Sequence, residues 1–226
     1  MKLLDLNITG IIISFTYFCT VLFASYKIRH WHEFSRKFAH IMIGNWYLMC
    51  FLLLDNLIYA LITPAVFVIY GTYSIYNKKE NYITSLLRDG DTSSFGIILF
   101  PISLMIILTA STYCFGSFIH GGIAVMALTY GDSMAALVGK NCPIISFKIG
   151  SNKKSISGCL SMFIFSTVSI YIYKSVFYKH YLPDIPFHSI IFLGAMAALT
   201  ELVTPSNYDN ISVPLVVFTV FYFFCK

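Results

Sequence analysis

Asp132 lies at the polar end of an apolar run rich in small residues, Tyr130-Gly131-Asp132-Ser133-Met134-Ala135-Ala136-Leu137-Val138-Gly139-Lys140. After a short polar loop comes a basic stretch, Lys153-Lys154-Ser155-Ile156-Ser157-Gly158. A carboxylate can take a divalent cation, and Lys140, Lys148, Lys153 and Lys154 can together take a polyanion. If the run is helical, steps of three and four set Asp132, Ala135, Ala136 and Gly139 on one face, leaving room for a ligand or for another backbone. Spacing alone leaves both occupants open, because Ala and Gly also pack helices and Asp also caps them. Cost favours chemistry at Asp132, since a carboxylate at a membrane boundary is unfavourable unless partnered. Ser155, just before a new apolar run, reads as a helix N-cap that would aim backbone N–H groups at a phosphate. The pattern is not a GxxxxGK[ST] nucleotide loop. Gly131 and Gly139-Lys140 are too far apart, and Asn141 stands where Ser or Thr would bind magnesium.

Two further clusters have spacing that could matter. Arg36-Lys37-x-x-His40 sits at the mouth of an apolar run, and helical spacing would point Arg36 and His40 the same way with Lys37 beside them. Standing alone, the cluster reads first as a basic anchor for anionic head groups. Glu201-x-x-x-Pro205-x-x-x-Asp209-Asn210-x-x-x-Pro214 lies between the last two apolar runs. Its acids suit the second wall of a magnesium-nucleotide site, while its prolines and Asn-Tyr-Asp-Asn suit an ordinary turn.

The elements that must position these residues follow from composition. The 226-residue chain is 58% hydrophobic and 11% charged, with a mean hydropathy of +0.76. Soluble domains carry roughly a quarter charged residues. The apolar runs approach the roughly 20 residues that cross a bilayer as helix. The expected fold is all-α, a polytopic transmembrane helical bundle of about eight spans forming one integral membrane domain over 1–226. The spans are expected near Leu3–Tyr26, Phe38–Leu54, Leu57–Tyr76, Phe95–Leu108, Phe115–Val138, Ile156–Tyr178, Ile190–Val203 and Val213–Phe224. The first run is too long for a signal-peptide core and lacks a small-residue cleavage site, so it reads as a span. Gly121-Gly122 within the fifth marks a kink or close packing.

This scheme sorts the cations. Lys27, Arg29, Arg36, Lys37, Lys78, Lys79, Arg88, Lys140, Lys148, Lys153 and Lys154 fall on one side, and only Lys2, Lys174, Lys179 and Lys226 on the other. By the positive-inside rule the first side is cytoplasmic, both termini point outward, and every cluster described above faces the cytoplasm. The net charge of +5 is thereby explained by topology, and no nucleic-acid partner is expected. Cys19, Cys50, Cys114, Cys142, Cys159 and Cys225 form no CxxC pair and read as small core residues, without disulfides or a zinc site.

Taken in order, Arg36-Lys37-x-x-His40, Ser94-Phe95-Gly96 with Pro101, Gly131-Asp132-x-x-Ala135-x-x-x-Gly139-Lys140, Lys154-Ser155-x-x-Gly158 and Glu201…Asp209-Asn210-x-x-x-Pro214 resemble the polyprenol kinase family. These membrane lipid kinases include dolichol kinase, phytol kinase and the CTP-dependent diacylglycerol kinase. The resemblance implies transfer of the γ-phosphoryl group of a nucleoside triphosphate, CTP before ATP, to the hydroxyl of a polyprenol, a phytol-like alcohol or diacylglycerol, with Mg2+ as cofactor. On that basis Asp132 holds the metal with Asp209 and Glu201, and Lys140, Lys153 and Lys154 bind the triphosphate beside Gly131, Gly139, Ser155 and Gly158. Asp209 and Asn210 complete the metal or orient the lipid hydroxyl, and Arg36, Lys37 and His40 approach the phosphates or the acceptor. The partners are the lipid alcohol, the nucleotide and membrane lipids, with homo-oligomerisation left open. The Gly-Asp…Lys-Ser-x-x-Gly core also looks like that of phosphatidate cytidylyltransferases, but no Lys-Arg…Lys-Asp element follows the sixth span. A non-enzymatic transporter or lipid-binding protein would use Asp132 and Glu201 as counter-charges. Such proteins usually bind near the midplane, often within structural repeats, and neither feature is evident here.

Overall fold

A computed structural model describes residues 2–76, 96–149, 152–177, 181–205 and 208–226, with the backbone alone at 2–5, Ile97, Asn152 and Lys153. The expected polar loop Asn77–Ser94 and the Ser94-Phe95 part of the second motif lie outside the described residues. Eight α-helices account for most of what is described: α1 Lys2–Lys27, α2 His32–Leu53, α3 Leu57–Tyr76, α4 Gly96–Phe115, α5 Gly122–Asn141, α6 Ile156–Phe177, α7 Phe187–Val203 and α8 Asp209–Phe224. A 3-10 turn, Phe118–Gly121, leads into α5.

Among the described residues, five segments are long and apolar enough to cross a membrane: Leu6–Lys27, Leu57–Tyr76, Ile98–Phe115, Phe118–Asn141 and Ile156–Phe177. Helices α7 and α8 are apolar but shorter, at 17 and 16 residues. At 1.5 Å per residue each reaches about 25 Å, short of a hydrocarbon core of about 30 Å. Helix α2 has the length, but Glu33, Arg36 and Lys37 occupy its first turns. Outward-facing side chains agree with an apolar surrounding, since Ile58 and Ile69 are exposed by 71% and 69%. Exposed apolar surface on this scale marks a membrane or partner surface. Pro64, Pro101 and Pro214 lie inside helices, as membrane helices allow.

The helices group into two compact units, 1–118 and 119–226. In the first, Phe18 of α1 stacks on Phe67 of α3, with ring centroids 4.4 Å apart, and meets Trp46 of α2 edge-on. Ser35 Oγ donates to the Ser25 carbonyl at 2.7 Å and Tyr17 Oη to that of Met42 at 2.7 Å, closing α1 on α2. Asn7 and Asp55 bond reciprocally: Asn7 Nδ2 donates to the carboxylate at 2.5 Å, and the Asp55 N–H donates to Asn7 Oδ1 at 3.2 Å. Gly116, with φ of 69°, ends α4 in the left-handed conformation that glycine adopts without strain.

In the second unit α5 is the central helix, buried from Gly122 through Thr129 and packed on α6, α7 and α8. Small residues set the α5–α6 distance. A Cβ on Gly122 would fall 2.0 Å from the Tyr173 hydroxyl, which instead donates to the Ile119 carbonyl at 2.7 Å. Close packing is therefore what the structure makes of Gly122. Ser166 and Ser169 reach across from α6 to the carbonyls of Ala127 and Met126 at 2.8 and 3.2 Å.

The described fold departs from all-α at one place. The loop after α5 is an antiparallel hairpin of β1 Ser146–Ile149 and β2 Asn152–Ser155, with Phe147 opposite Lys154 and Lys148 opposite Lys153. Four-residue strands this short give no readable alternation, so the segment passes for a polar loop in the sequence. Helix limits shift too: α2 begins at His32 instead of near Phe38, and α8 at Asp209 instead of near Val213. In both, polar residues that looked like connections form the first helical turn.

Candidate functional site

One end of the second unit gathers three of the sequence clusters. Helix α5 brings Lys140, exposed in its last turn, to this end; Asp132, partly buried and expected where the apolar run meets the loop, instead lies mid-helix, about 14 Å before the end of α5. The chain then turns through 142–145 into the hairpin, and β2 runs straight into α6. Ser155 sits at that junction and caps it, its Oγ accepting the Gly158 N–H at 3.1 Å. This is the expected N-cap. Ser157, which nothing in its sequence spacing singles out, ties the loop to the same helix end by accepting the Ile144 N–H at 3.1 Å. The Ile156 N–H reaches the Ile144 and Ile145 carbonyls at 3.1 and 3.3 Å. Loop, hairpin and helix start therefore form one hydrogen-bonded block.

Gly139 and Gly158 face each other across the α5–α6 contact. A Cβ on Gly158 would meet Ser155 Oγ at 3.1 Å, the Ala135 carbonyl at 3.2 Å and Gly139 Cα at 3.4 Å. A Cβ on Gly131 would fall 2.1 Å from Ser166 Oγ. Of the two occupants open in the sequence, another backbone is thus the one found beside Gly139, Gly158 and Ala135. Their small size is accounted for by helix packing.

Lys154 and Glu201 come together over 47 residues of sequence. The Lys154 ammonium pairs with the Glu201 carboxylate and also donates to the Glu201 carbonyl at 3.0 Å. The two side chains are only 12% and 10% exposed. The hairpin register makes this possible, because pleating sets positions 147 and 154 on the opposite face of the ribbon from 148 and 153. The carboxylate expected to bind metal is therefore the partner of a lysine expected to bind phosphate. The pairing also fixes connectivity in space: the hairpin and the C-terminal end of α7 share one end of the unit. At the other end Lys174 pairs with Asp184 at 2.9 Å.

Asp209 opens α8 as its first residue, accepting the Asn210 N–H at 2.9 Å and Asn210 Nδ2 at 3.4 Å. Thr204 Oγ1 and Ser212 Oγ, 2.9 Å apart, link the end of α7 to the start of α8. Ser133, beside Asp132, has a fully buried hydroxyl with no hydrogen-bond partner. Among the described residues no group of three or more His, Cys, Asp or Glu is placed to hold a metal ion.

Arg36, Lys37 and His40 belong to the first unit. All three lie on α2, as the spacing required. Arg36 pairs with Glu33 at 2.7 Å, Lys37 is buried, and the His40 ring lies 4.2 Å from that of Phe100. The six cysteines are all free thiols, and only Cys50 is buried, so the core role expected of them holds for one. No protein-family model, curated protein or solved structure matches the chain.

Proposed function

We propose that the chain is a membrane lipid kinase that moves the γ-phosphoryl group of a nucleoside triphosphate, CTP before ATP, to the hydroxyl of a lipid alcohol. The observation carrying this reading is the Lys154–Glu201 pair, which joins the Lys154-Ser155-x-x-Gly158 motif to the Glu201…Asp209-Asn210 motif at one end of a helical unit. Phosphoryl transfer needs positioning and charge neutralisation more than covalent help. Lys140, exposed at the end of α5, supplies charge to the triphosphate. The Ile156 and Gly158 N–H groups at the α6 N-terminus are already bonded within the fold, so this helix end contributes the positive end of its dipole to a phosphate.

Magnesium bound with the nucleotide would neutralise charge on the phosphates, and it commonly takes only one or two protein carboxylates, keeping water and phosphate oxygens as its other ligands. Asp132 and Asp209 suit that role. Glu201 does not, because its carboxylate already has a cation. Asn210 orients the acceptor hydroxyl. Lys154, held by Glu201, keeps the hairpin against α7 and so positions the loop and the start of α6.

The test uses purified protein in nanodiscs with several lipid alcohols. γ-labelled CTP should label the lipid and α-labelled CTP should not, and Asp132→Asn should lower the rate by about a hundredfold or more. Label arriving only from the α position would instead indicate a cytidylyltransferase, in which pyrophosphate departs and the α-phosphate stays with the lipid. No label from either position, with CTP or ATP, would leave a transporter or lipid-binding protein.

A further inference from the structure

Ile144 and Ile145 are exposed by 62% and 67%, yet their backbone is tied to the start of α6. The Ile144 N–H donates to Ser157 Oγ, and both carbonyls accept from the Ile156 N–H. Ile145 also holds a φ of 43°, the only left-handed non-glycine residue among those described. A β-branched side chain is a poor fit to that conformation. Neither local backbone preference nor burial within the protein explains isoleucine there, and strain of this kind is often found where a residue has a functional task.

The position in the chain says what the task is. The turn joins Phe118–Asn141 to Ile156–Phe177, both long and apolar enough to cross a bilayer. At 24 residues the first is about 36 Å long, so its end projects a few ångströms beyond a hydrocarbon core of about 30 Å. Ile144 and Ile145 therefore stand at head-group level, with Ile156 exposed beside them and Lys148 exposed on β1. Apolar side chains flanked by a lysine are the composition of a segment that lies in an anionic bilayer interface.

We propose that Ile144 and Ile145 insert into the acyl boundary of the membrane the chain spans, and that Lys148 meets the head groups of anionic lipids. The hairpin is thereby clamped to the bilayer surface. The bonds from Ser157 and Ile156 hold the backbone of the two residues in place beforehand, so little backbone ordering entropy is lost on insertion. The inference rests on α5 and α6 crossing a membrane, and is independent of the kinase reading.

The experiment places benzoylphenylalanine singly at 144, at 145 and, as a control, at Val168 on the outer face of α6. The full-length protein is irradiated in nanodiscs of phosphatidylcholine with or without phosphatidylglycerol. Positions 145 and 168 should both form lipid adducts in the anionic discs. Removing phosphatidylglycerol, or introducing Lys148→Gln, should lower the adduct at 145 roughly fivefold while leaving 168 unchanged. A lipid adduct at 168 with none at 145 in any disc would overturn the proposal and leave the membrane reading intact. Absence at both would overturn both, and an adduct at 145 to a second copy of the chain would replace the lipid with a protein interface. As a check on folding, Ile145→Gly should leave the unfolding temperature in detergent unchanged or raised, since it relieves the φ of 43°. A fall of several degrees would show that Ile145 is held by the fold itself.

Discussion

Lys154 and Glu201 show how a pair of side chains can be legible singly and illegible together. Each stands out as a charge beside an apolar run, and the sequence assigns them to opposite partners, phosphate and metal. Nothing across a separation of 47 residues says that they meet. Their burial makes the meeting a stability element: removing one partner leaves an uncompensated buried charge, at a cost of about 3–5 kcal/mol. Lys154→Ala and Glu201→Gln should each therefore lower the unfolding free energy by an amount of that order, measured in detergent. The double variant Lys154→Met with Glu201→Leu should recover most of the loss, because an apolar pair can replace a buried ion pair at little cost. Assaying the same three proteins separates roles. Activity returning with stability in the double variant would make the pair structural only, whereas a stable and inactive double variant would put the Lys154 charge in the reaction.

At the scale of elements the long apolar helices were readable because their length and composition leave no other state. The Ser155 cap was readable because a hydroxyl before an apolar run is a local signal. The hairpin was not, since register between two four-residue strands depends on what Phe147 and Lys154 pack against. The glycines of the central motif carried an ambiguity that only the neighbour could resolve, and the neighbour is α6. Gly158→Leu should therefore force α5 and α6 apart, because even a Cβ there lies 3.2 Å from the Ala135 carbonyl. Overpacking of this kind costs about 1–3 kcal/mol. Leu160→Ala, at a position of α6 that is mostly exposed, should cost less than about 0.5 kcal/mol. Equal melting temperatures for the two variants would mean that Gly158 is small for some reason other than the helix contact.

For the whole molecule, topology is where charge and packing make the same demand by separate routes. Under the eight-span scheme read from the sequence, the asymmetry of Lys and Arg predicts that the hairpin and the α7–α8 connection share the cytoplasmic side. Independently, the Lys154–Glu201 pair holds the hairpin to the end of α7, and the Lys174–Asp184 pair lies at the far end of the same unit. The charge rule uses no contacts, and the contacts use no knowledge of a membrane. Both therefore require cysteines placed singly at Lys148 and Tyr208 to share one face of the membrane, with one at Asp184 on the other. In a background lacking the native cysteines, a membrane-impermeant maleimide added to intact cells should label position 184 at once. It should reach 148 and 208 only after permeabilisation. Labelling of 148 and 208 from opposite faces would contradict the helix packing as well as the charge rule. Labelling of both from outside would keep the packing, invert the orientation, and remove the supply of cytoplasmic nucleotide on which the kinase reading depends.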